Sequence, residues 1–306
     1  MKKSSMRKSV CFLLPFVLTL AGCRGHRPAA VDRSAFVREI EKTRAETKEW
    51  LRGGATSYLA AIDRVDFNEK SALTVGSAAD NDLRLAAADI EPHHVRITVE
   101  GDGFRVESID AKARFKIKDE SKSEATVGPS SVQVGRYTLR LSHQRFPAII
   151  VFDPQSPRFR EFKGLAYFPV DPAYRYELPL EPDPKSEKFI IMSTRGNRRS
   201  AERVGWFNFF VGNTPCRLEA TRLLEPGSGQ DDVEVFFRDP TSGNETYPLG
   251  RYVNAKKLAN GNYLLDFNLA YNPSCAFSNF YNCPIPPKSN TLQVSIRAGE
   301  MDSHYH

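Results

Sequence analysis

The chain is predicted to be mainly β: an N-terminal helix, a β-sandwich, then a second β-rich domain built as a barrel or sandwich. Three observations carry that prediction. Apolar residues recur at helical spacing only over residues 35–52. From about Ile62 onward the apolar period falls to two, in short segments separated by turn residues. At 41% hydrophobic and 11% aromatic residues over 306 positions, the chain has the apolar surface to bury two cores.

The first residues follow the logic of an export signal. Lys2, Lys3, Arg7 and Lys8 form a basic start, and Cys11 to Leu20 is an apolar run of ten residues. That is too short to cross a bilayer, which needs about 20. Leu20-Ala21-Gly22-Cys23 then matches the bacterial lipobox, in which small residues precede a cysteine that receives diacylglycerol. Residues 1–22 are therefore expected to be cleaved as a signal peptide, leaving Cys23 as the lipidation site. Palmitate-like acyl chains contribute about 0.8 kcal/mol per buried CH2, so several of them anchor durably. Arg24 is not the Asp that retains lipoproteins at the inner membrane, which favours the outer membrane of a cell envelope with two membranes.

Cleavage also changes the charge. The precursor carries +6, from 43 basic and 37 acidic residues. Removing residues 1–22 takes away four basic residues and no acid, leaving +2. A nearly neutral mature chain lacks the concentrated basic surface that nucleic-acid binding requires, so no nucleic-acid partner is expected.

Residues 23–34 are small, polar and basic, and read as a lipidated tether. Residues 35–60 follow as helix and connector. Phe36, Ile40, Thr43, Thr47 and Trp50–Leu51 form the helix's inward stripe, Ser34 is its expected N-cap, and Gly53–Gly54 its stop. The helix is expected to pack on the domain that follows it.

Residues 61–145 hold the first β domain. Leu73-Thr-Val, Val95-Arg-Ile-Thr-Val, Phe104-Arg-Val, Phe115-Lys-Ile, Val132-Gln-Val and Tyr137-Thr-Leu-Arg-Leu alternate, with Gly76, Asp80–Asn81, Gly101-Asp-Gly, Gly128–Pro129 and Gly135 between them. Thr74-Val-Gly-Ser, Asn81-Asp-Leu-Arg-Leu, His94-Val-Arg-Ile and Val132-Gln-Val-Gly-Arg-Tyr resemble a forkhead-associated domain over residues 70–142. That family reads phosphothreonine with an Arg after the early Gly and a Ser shortly before the His. Ser77 and Glu91 or Pro92 stand at those places. A carboxylate repels a phosphate dianion, so the resemblance implies the sandwich, as a packing or interaction module, without the phosphopeptide site.

Residues 146–300 begin proline-rich, from Pro147 to Pro184, and continue into further apolar segments. Among them Lys188-Phe-Ile-Ile-Met, Val204 to Val211, Cys216-Arg-Leu-Glu-Ala, Val233-Glu-Val-Phe-Phe, Tyr263-Leu-Leu-Asp-Phe-Asn and Leu292-Gln-Val-Ser-Ile read as strands. Residues 301–306 form a tail. The runs FFRDPTSGNETYPLGRYVNA and LDFNLAYNPSCAFSNFYNCPIPPKSNTLQVSIRAGE, with Lys163-Gly-Leu-Ala-Tyr-Phe-Pro-Val-Asp-Pro, resemble the prokaryotic domain-of-unknown-function family one-six-eight-four. The resemblance implies a fold and a site location but no reaction.

The densest polar chemistry lies there: Arg238, Asp239, Thr241, Glu245, Tyr247, Arg251, Asp266, Asn268, Tyr271 and Asn272. Asp266 and Asn268, two apart on an expected strand, should share a face. These groups fit a cleft for a small polar, anionic or sugar-like ligand. They equally fit a closed network of bidentate Arg–carboxylate pairs, or a hydrolase using Asp239, Glu245 or Asp266 as acid or base. Cys275 and Cys283 fit a disulfide in an oxidising compartment, or two buried thiols. Neither they nor the adjacent His93 and His94 have the spacing of a metal site. No nucleotide-binding, zinc-protease or nucleophile-elbow motif is present, so no cofactor is expected.

Substituting Cys23→Ala, or blocking the lipoprotein peptidase, should leave a longer, unlipidated precursor on a mass spectrum. Normal maturation of the Cys23→Ala protein would contradict the anchor.

Overall fold

Helix α1 (Arg33–Gly53) is the first element in a computed structural model that describes residues 32–305. Cys23 and the expected export signal lie outside the described residues. Asp32, rather than the expected Ser34, caps the helix: its carboxylate accepts from the Ser34 and Ala35 amides at 3.0 and 3.2 Å. The buried face is Phe36, Ile40, Arg44 and Leu51. An arginine thus stands on the stripe where Thr43 was expected.

Arg44 also corrects where the helix docks. Its guanidinium donates to Phe168 O at 3.0 Å and Asn268 O at 3.1 Å, and lies 4.6 Å from the centre of the Tyr167 ring. Arg175 stacks on Phe36 and pairs with Glu39. The helix therefore packs largely on the second β domain, while Leu51 in its last turn joins the core that Ile150 and Phe152 of the sandwich also enter. Carbonyls of the second domain give the buried Arg44 guanidinium the partners it needs.

The sandwich has eleven strands. They are β1 (Ala61–Asp66), β2 (Ala72–Gly76), β3 (Leu83–Arg84), β4 (Val95–Glu100), β5 (Gly103–Ser108), β6 (Phe115–Ile117), β7 (Glu120–Lys122), β8 (Glu124–Val127), β9 (Ser130–Val134), β10 (Tyr137–His143) and β11 (Pro147–Phe152). One sheet runs β1-β11-β10-β9-β6-β7, the other β3-β2-β4-β5-β8. Leu73, Val75, Val95, Ile97, Phe104, Val106, Phe115, Val132 and Leu139 fill the space between them.

β11 carries the sandwich past residue 145, where the sequence reading ended it. Its run Ala148-Ile-Ile-Val-Phe does not alternate, because both faces are covered. Ile149 and Val151 enter the sandwich core, while Ile150 and Phe152 enter a second core with Leu51, Leu59, Phe236 and Tyr252. Burying each of these side chains is worth about 1.5–3 kcal/mol, so one strand ties the two domains together.

The second domain is one eight-stranded sheet. Its strands are β12 (Arg175–Leu178), β13 (Glu181–Pro182), β14 (Lys188–Met192), β15 (Arg198–Val211), β16 (Thr214–Leu223), β17 (Glu234–Phe237), β18 (Arg251–Lys257) and β19 (Tyr263–Asp266). The order is β12-β19-β18-β17-β16-β15-β13, with β14 also on β15. The sheet curls towards a barrel: β12 and β15 are far apart in that order, yet the Tyr176 hydroxyl donates to Phe210 O at 3.0 Å. A bulge between Arg203 and Gly205 bends β15. Only glycine fits there, since a Cβ at Gly205 would lie 2.2 Å from Glu181 O.

Two local expectations are corrected. Leu292 to Ile296 is an irregular segment, not a strand, because side chains replace its ladder bonds; Asp239 takes the Ile296 amide at 2.6 Å. Asn268 lies in the turn Phe267–Leu269, not on β19. Asp266 caps that turn, accepting from the Asn268 backbone and side-chain amides, both at 3.0 Å.

Candidate functional site: a cavity beneath the N-terminal helix

The polar residues singled out in the sequence divide into a closed lock, surface staples and one wall of a cavity. The lock is centred on Arg251 and Asp239, both buried and 3.3 Å apart. Arg251 also donates to the carbonyls of Ala298 and Ile296, the latter at 2.7 Å. The other Asp239 oxygen accepts from the Thr241 amide at 3.1 Å and from its hydroxyl, which meets Thr246 at 2.9 Å. Burial lowers the Arg251 pKa, and Asp239 opposes that shift. This network is closed to solvent and spends its hydrogen bonds within the protein, with Arg251 Nε alone among its guanidinium nitrogens left unpartnered.

Arg238 and Glu245 lie nearer the surface. Arg238 donates to Pro248 O at 2.9 Å, and Glu245 pairs with Arg297 at 3.0 Å. Tyr247 is buried, with its hydroxyl 3.8 Å from the Cys275 sulfur. Cys275 and Cys283, for which the sequence left a disulfide and two buried thiols open, come together as buried thiols that hydrogen-bond to each other.

Asn268, Tyr271 and Asn272 line a cavity of about 360 Å³. Its other wall is α1, through Thr43, Arg44, Thr47, Trp50 and Leu51, with Tyr58, Tyr167 and Phe277 completing the aromatic surface. Asp266 stands behind this wall, holding Asn268. Its own carboxyl is pushed up by burial, against the Asn268 hydrogen bonds and Arg175, which sits 3.6 Å away.

Glu300 is the functional group that sequence reasoning missed. It is buried and lines the cavity, where Asn272 donates to it from its side chain at 2.9 Å and from its backbone at 3.2 Å. Gly299 places it, with φ +81° and no room for a Cβ, which would lie 2.6 Å from Phe267 O and Ala270 O. Burial pushes the Glu300 carboxyl up to about 8, despite Asn272 and Arg251. Among the described residues, two buried polar atoms of the lining have no hydrogen-bond partner, Arg44 Nε and Asn272 Oδ1. The four-residue step from Phe36 through Ile40 points to Arg44, a signal the sequence reading passed over for Thr43; Glu300 gave no signal beyond its place in the AGE ending of the long C-terminal run.

In the sandwich, the loop residues singled out in the sequence are engaged with their own domain. Ser77 and Glu91 are joined by a backbone bond of 3.0 Å, and His94 is buried in hydrogen bonds to the Glu91 amide and Arg114 O. His93 is exposed on the other side.

The model of a family of unknown function, DUF1684, matches residues 160–301. An uncharacterised protein of Haloarcula marismortui, solved by NMR, is 33% identical over 50% of this chain and 85% of its own, with a TM-score of 0.39. The chain belongs to the DUF1684 family. DUF1684 residues supply the Glu300 wall of the cavity, while α1 lies before the matched segment. Solved structures that the DUF1684 protein resembles also include the FHA domain of FhaA, complexed with the intracellular domain of Rv3910. It is 15% identical, covering 26% of this chain and 79% of that one, with a TM-score of 0.21. Mycobacterium tuberculosis EmbR is 17% identical, covering 38% of this chain and 31% of that one, also at 0.21. No curated protein matches.

Glu300 makes stability depend on pH. Its folded value lies above the ordinary 4.5, so the folded chain holds that proton more tightly than the unfolded chain. The contribution is whole below about pH 4.5 and is lost as the pH rises towards 8. Glu300→Gln should flatten the fall in Tm across that window. An unchanged slope in the variant would show that Glu300 is not the titrating group.

Proposed function

We propose that this is a lipid-anchored cell-envelope protein that binds a small, polar, sugar-like ligand in the cavity between α1 and the DUF1684 domain. The observation that supports this most is the pairing of aromatic walls with unsatisfied hydrogen-bonding groups in one partly enclosed space. Tyr58, Tyr167 and Tyr271 give flat apolar area with polar tips, the surface on which a sugar ring stacks. Arg44 Nε offers a donor and Asn272 Oδ1 an acceptor. With its raised pKa, Glu300 is largely protonated at neutral pH, and so offers a hydroxyl rather than a charge. A volume of about 360 Å³ is at the small end of ligand sites, sized for a monosaccharide rather than a polymer.

The anchor rests on the lipobox at Cys23 alone. Among the described residues no helix is long and apolar enough to cross a membrane. The hydrolase reading is less favoured, since Glu300 is the one carboxyl among the described residues lining this cavity. Acid–base hydrolysis of a glycoside commonly uses two. For Asp239, Arg251 and Thr241 the structural reading is favoured, because their network is closed.

A thermal-shift series tests the proposal, with neutral monosaccharides in one arm and short-chain carboxylates in the other. A ligand at about 100 times its Kd should stabilise the fold by about 2.7 kcal/mol, a shift of a few degrees. The shift should vanish in Tyr167→Ala, a half-buried residue at the cavity wall, and in Thr47→Trp, which fills it. Shifts from carboxylates alone would replace the sugar reading with an anionic one. No shift from either class in the folded wild type would overturn both.

A further inference from the structure

Cys275 and Cys283 sit in a different place from the cavity under α1 and carry different chemistry. Cys275 lies in the turn Ser274–Ala276, and Cys283 is fixed opposite it by Thr194. The Cys283 amide donates to the Thr194 hydroxyl at 3.1 Å, and the Thr194 amide donates to Cys283 O at 2.9 Å. The Cys283 sulfur then sits in a cradle. The Cys275 amide donates to it at 3.3 Å, the Ser274 hydroxyl meets it at 3.2 Å, and the Cys275 thiol hydrogen-bonds to it.

The two cysteines line different cavities. Cys283 lines a cavity of about 300 Å³ between the sandwich and the second domain, together with Arg140, Arg199, Ser274 and Tyr281. Cys275 lines another of about 520 Å³, with Thr194, Arg195 and Tyr247. A solute no larger than a few heavy atoms can therefore be accommodated beside Cys283, while Cys275 stands behind it as a second thiol.

We infer that Cys275 and Cys283 form a peroxide-reactive dithiol, in which Cys283 takes the oxidation and Cys275 resolves it to a disulfide. A thiolate, not a thiol, attacks peroxide, and donors around a sulfur favour that form. Hydrogen bonds from Cys275 and Ser274, aided by the Arg199 charge, hold Cys283 below the ordinary thiol value, although burial opposes them. Cys275 is pushed up by its bond to Cys283 and by burial, so it keeps the proton. Cys216 provides the contrast: it is a buried thiol pushed up by burial, with no second cysteine beside it.

The chemistry balances with hydrogen peroxide as the oxidant. The Cys283 thiolate attacks one peroxide oxygen; the S–O bond forms, the O–O bond breaks, and hydroxide leaves to take a proton as water. Cys275 then attacks the Cys283 sulfenic acid. The S–S bond forms, the S–OH bond breaks, and the hydroxyl departs with the Cys275 proton as a second water. Two thiols are oxidised and one peroxide is reduced.

The test uses the full chain, reduced and then given hydrogen peroxide in small increments, quenched by alkylation and mapped by mass spectrometry. Cys275 and Cys283 should appear in one linked species, 2 Da lighter and restored by dithiothreitol, at a rate about ten-fold or more above oxidation of Cys216. In Cys275→Ser, dimedone should trap a sulfenic acid on Cys283; in Cys283→Ser, Cys275 should stay reduced. Oxidation of the pair no faster than Cys216 in the wild type would overturn the proposal without recourse to a variant. So would a dimedone adduct that forms on Cys275 instead of Cys283.

Discussion

The second domain depends on one buried ion pair, Asp239 with Arg251. Taking both charges out of water is expensive, and such a pair survives only where the remaining donors and acceptors find partners. Here the last irregular segment among the described residues supplies most of those partners, leaving Arg251 Nε without one. Ile296 supplies an amide to Asp239, while Ile296 and Ala298 supply carbonyls to Arg251. The dependence runs both ways. The segment has almost no ladder bonds of its own, yet it covers the sheet with Leu292, Ile296 and Ala298. Backbone groups buried that way need side-chain partners.

From that lashing the cavity follows. The segment must turn at Gly299 to pass the carbonyls of Phe267 and Ala270, and the next residue, Glu300, is delivered to Asn272. Helix α1 closes the other side through Arg44, whose bonds reach Phe168 and Asn268. Polar groups of the cavity thus stand on a turn and a tail held by the sheet, while its aromatic wall is shared with α1 and the connector after it. β11 locks the sandwich to the same core, so the sandwich contributes packing to the second domain.

The sequence made periodic features legible and left long-range ones hidden. α1 and most sandwich strands follow from spacing, because period 3.6 and period 2 each place apolar groups on one side. β11 lost its place in the sandwich because a strand covered on both faces does not alternate. Leu292 to Ile296 alternates like a strand, but Asp239 and Arg251 compete for its backbone groups, which spacing cannot reveal. Among the ten polar residues, local sequence showed their density and not their division. That arginines would pair with Asp239, Glu245 or Asp266 was legible, but not that Arg251 takes Asp239. Asn268, Tyr271 and Asn272 became a cavity wall only through Glu300 and through Arg44, the latter 224 positions from its Asn268 partner.

The central claim is that the Asp239–Arg251 pair holds the 296–300 segment, and with it Glu300, in place. The most direct measurement combines denaturant unfolding with amide hydrogen exchange on Asp239→Asn. The substitution leaves Arg251 as an uncompensated buried charge, a loss of about 3–5 kcal/mol. Amides of residues 296–300 should lose protection in native conditions, while those of β4 and β10 in the sandwich keep theirs. A loss below about 1 kcal/mol, the range of an exposed pair, with the segment still protected, would contradict the account.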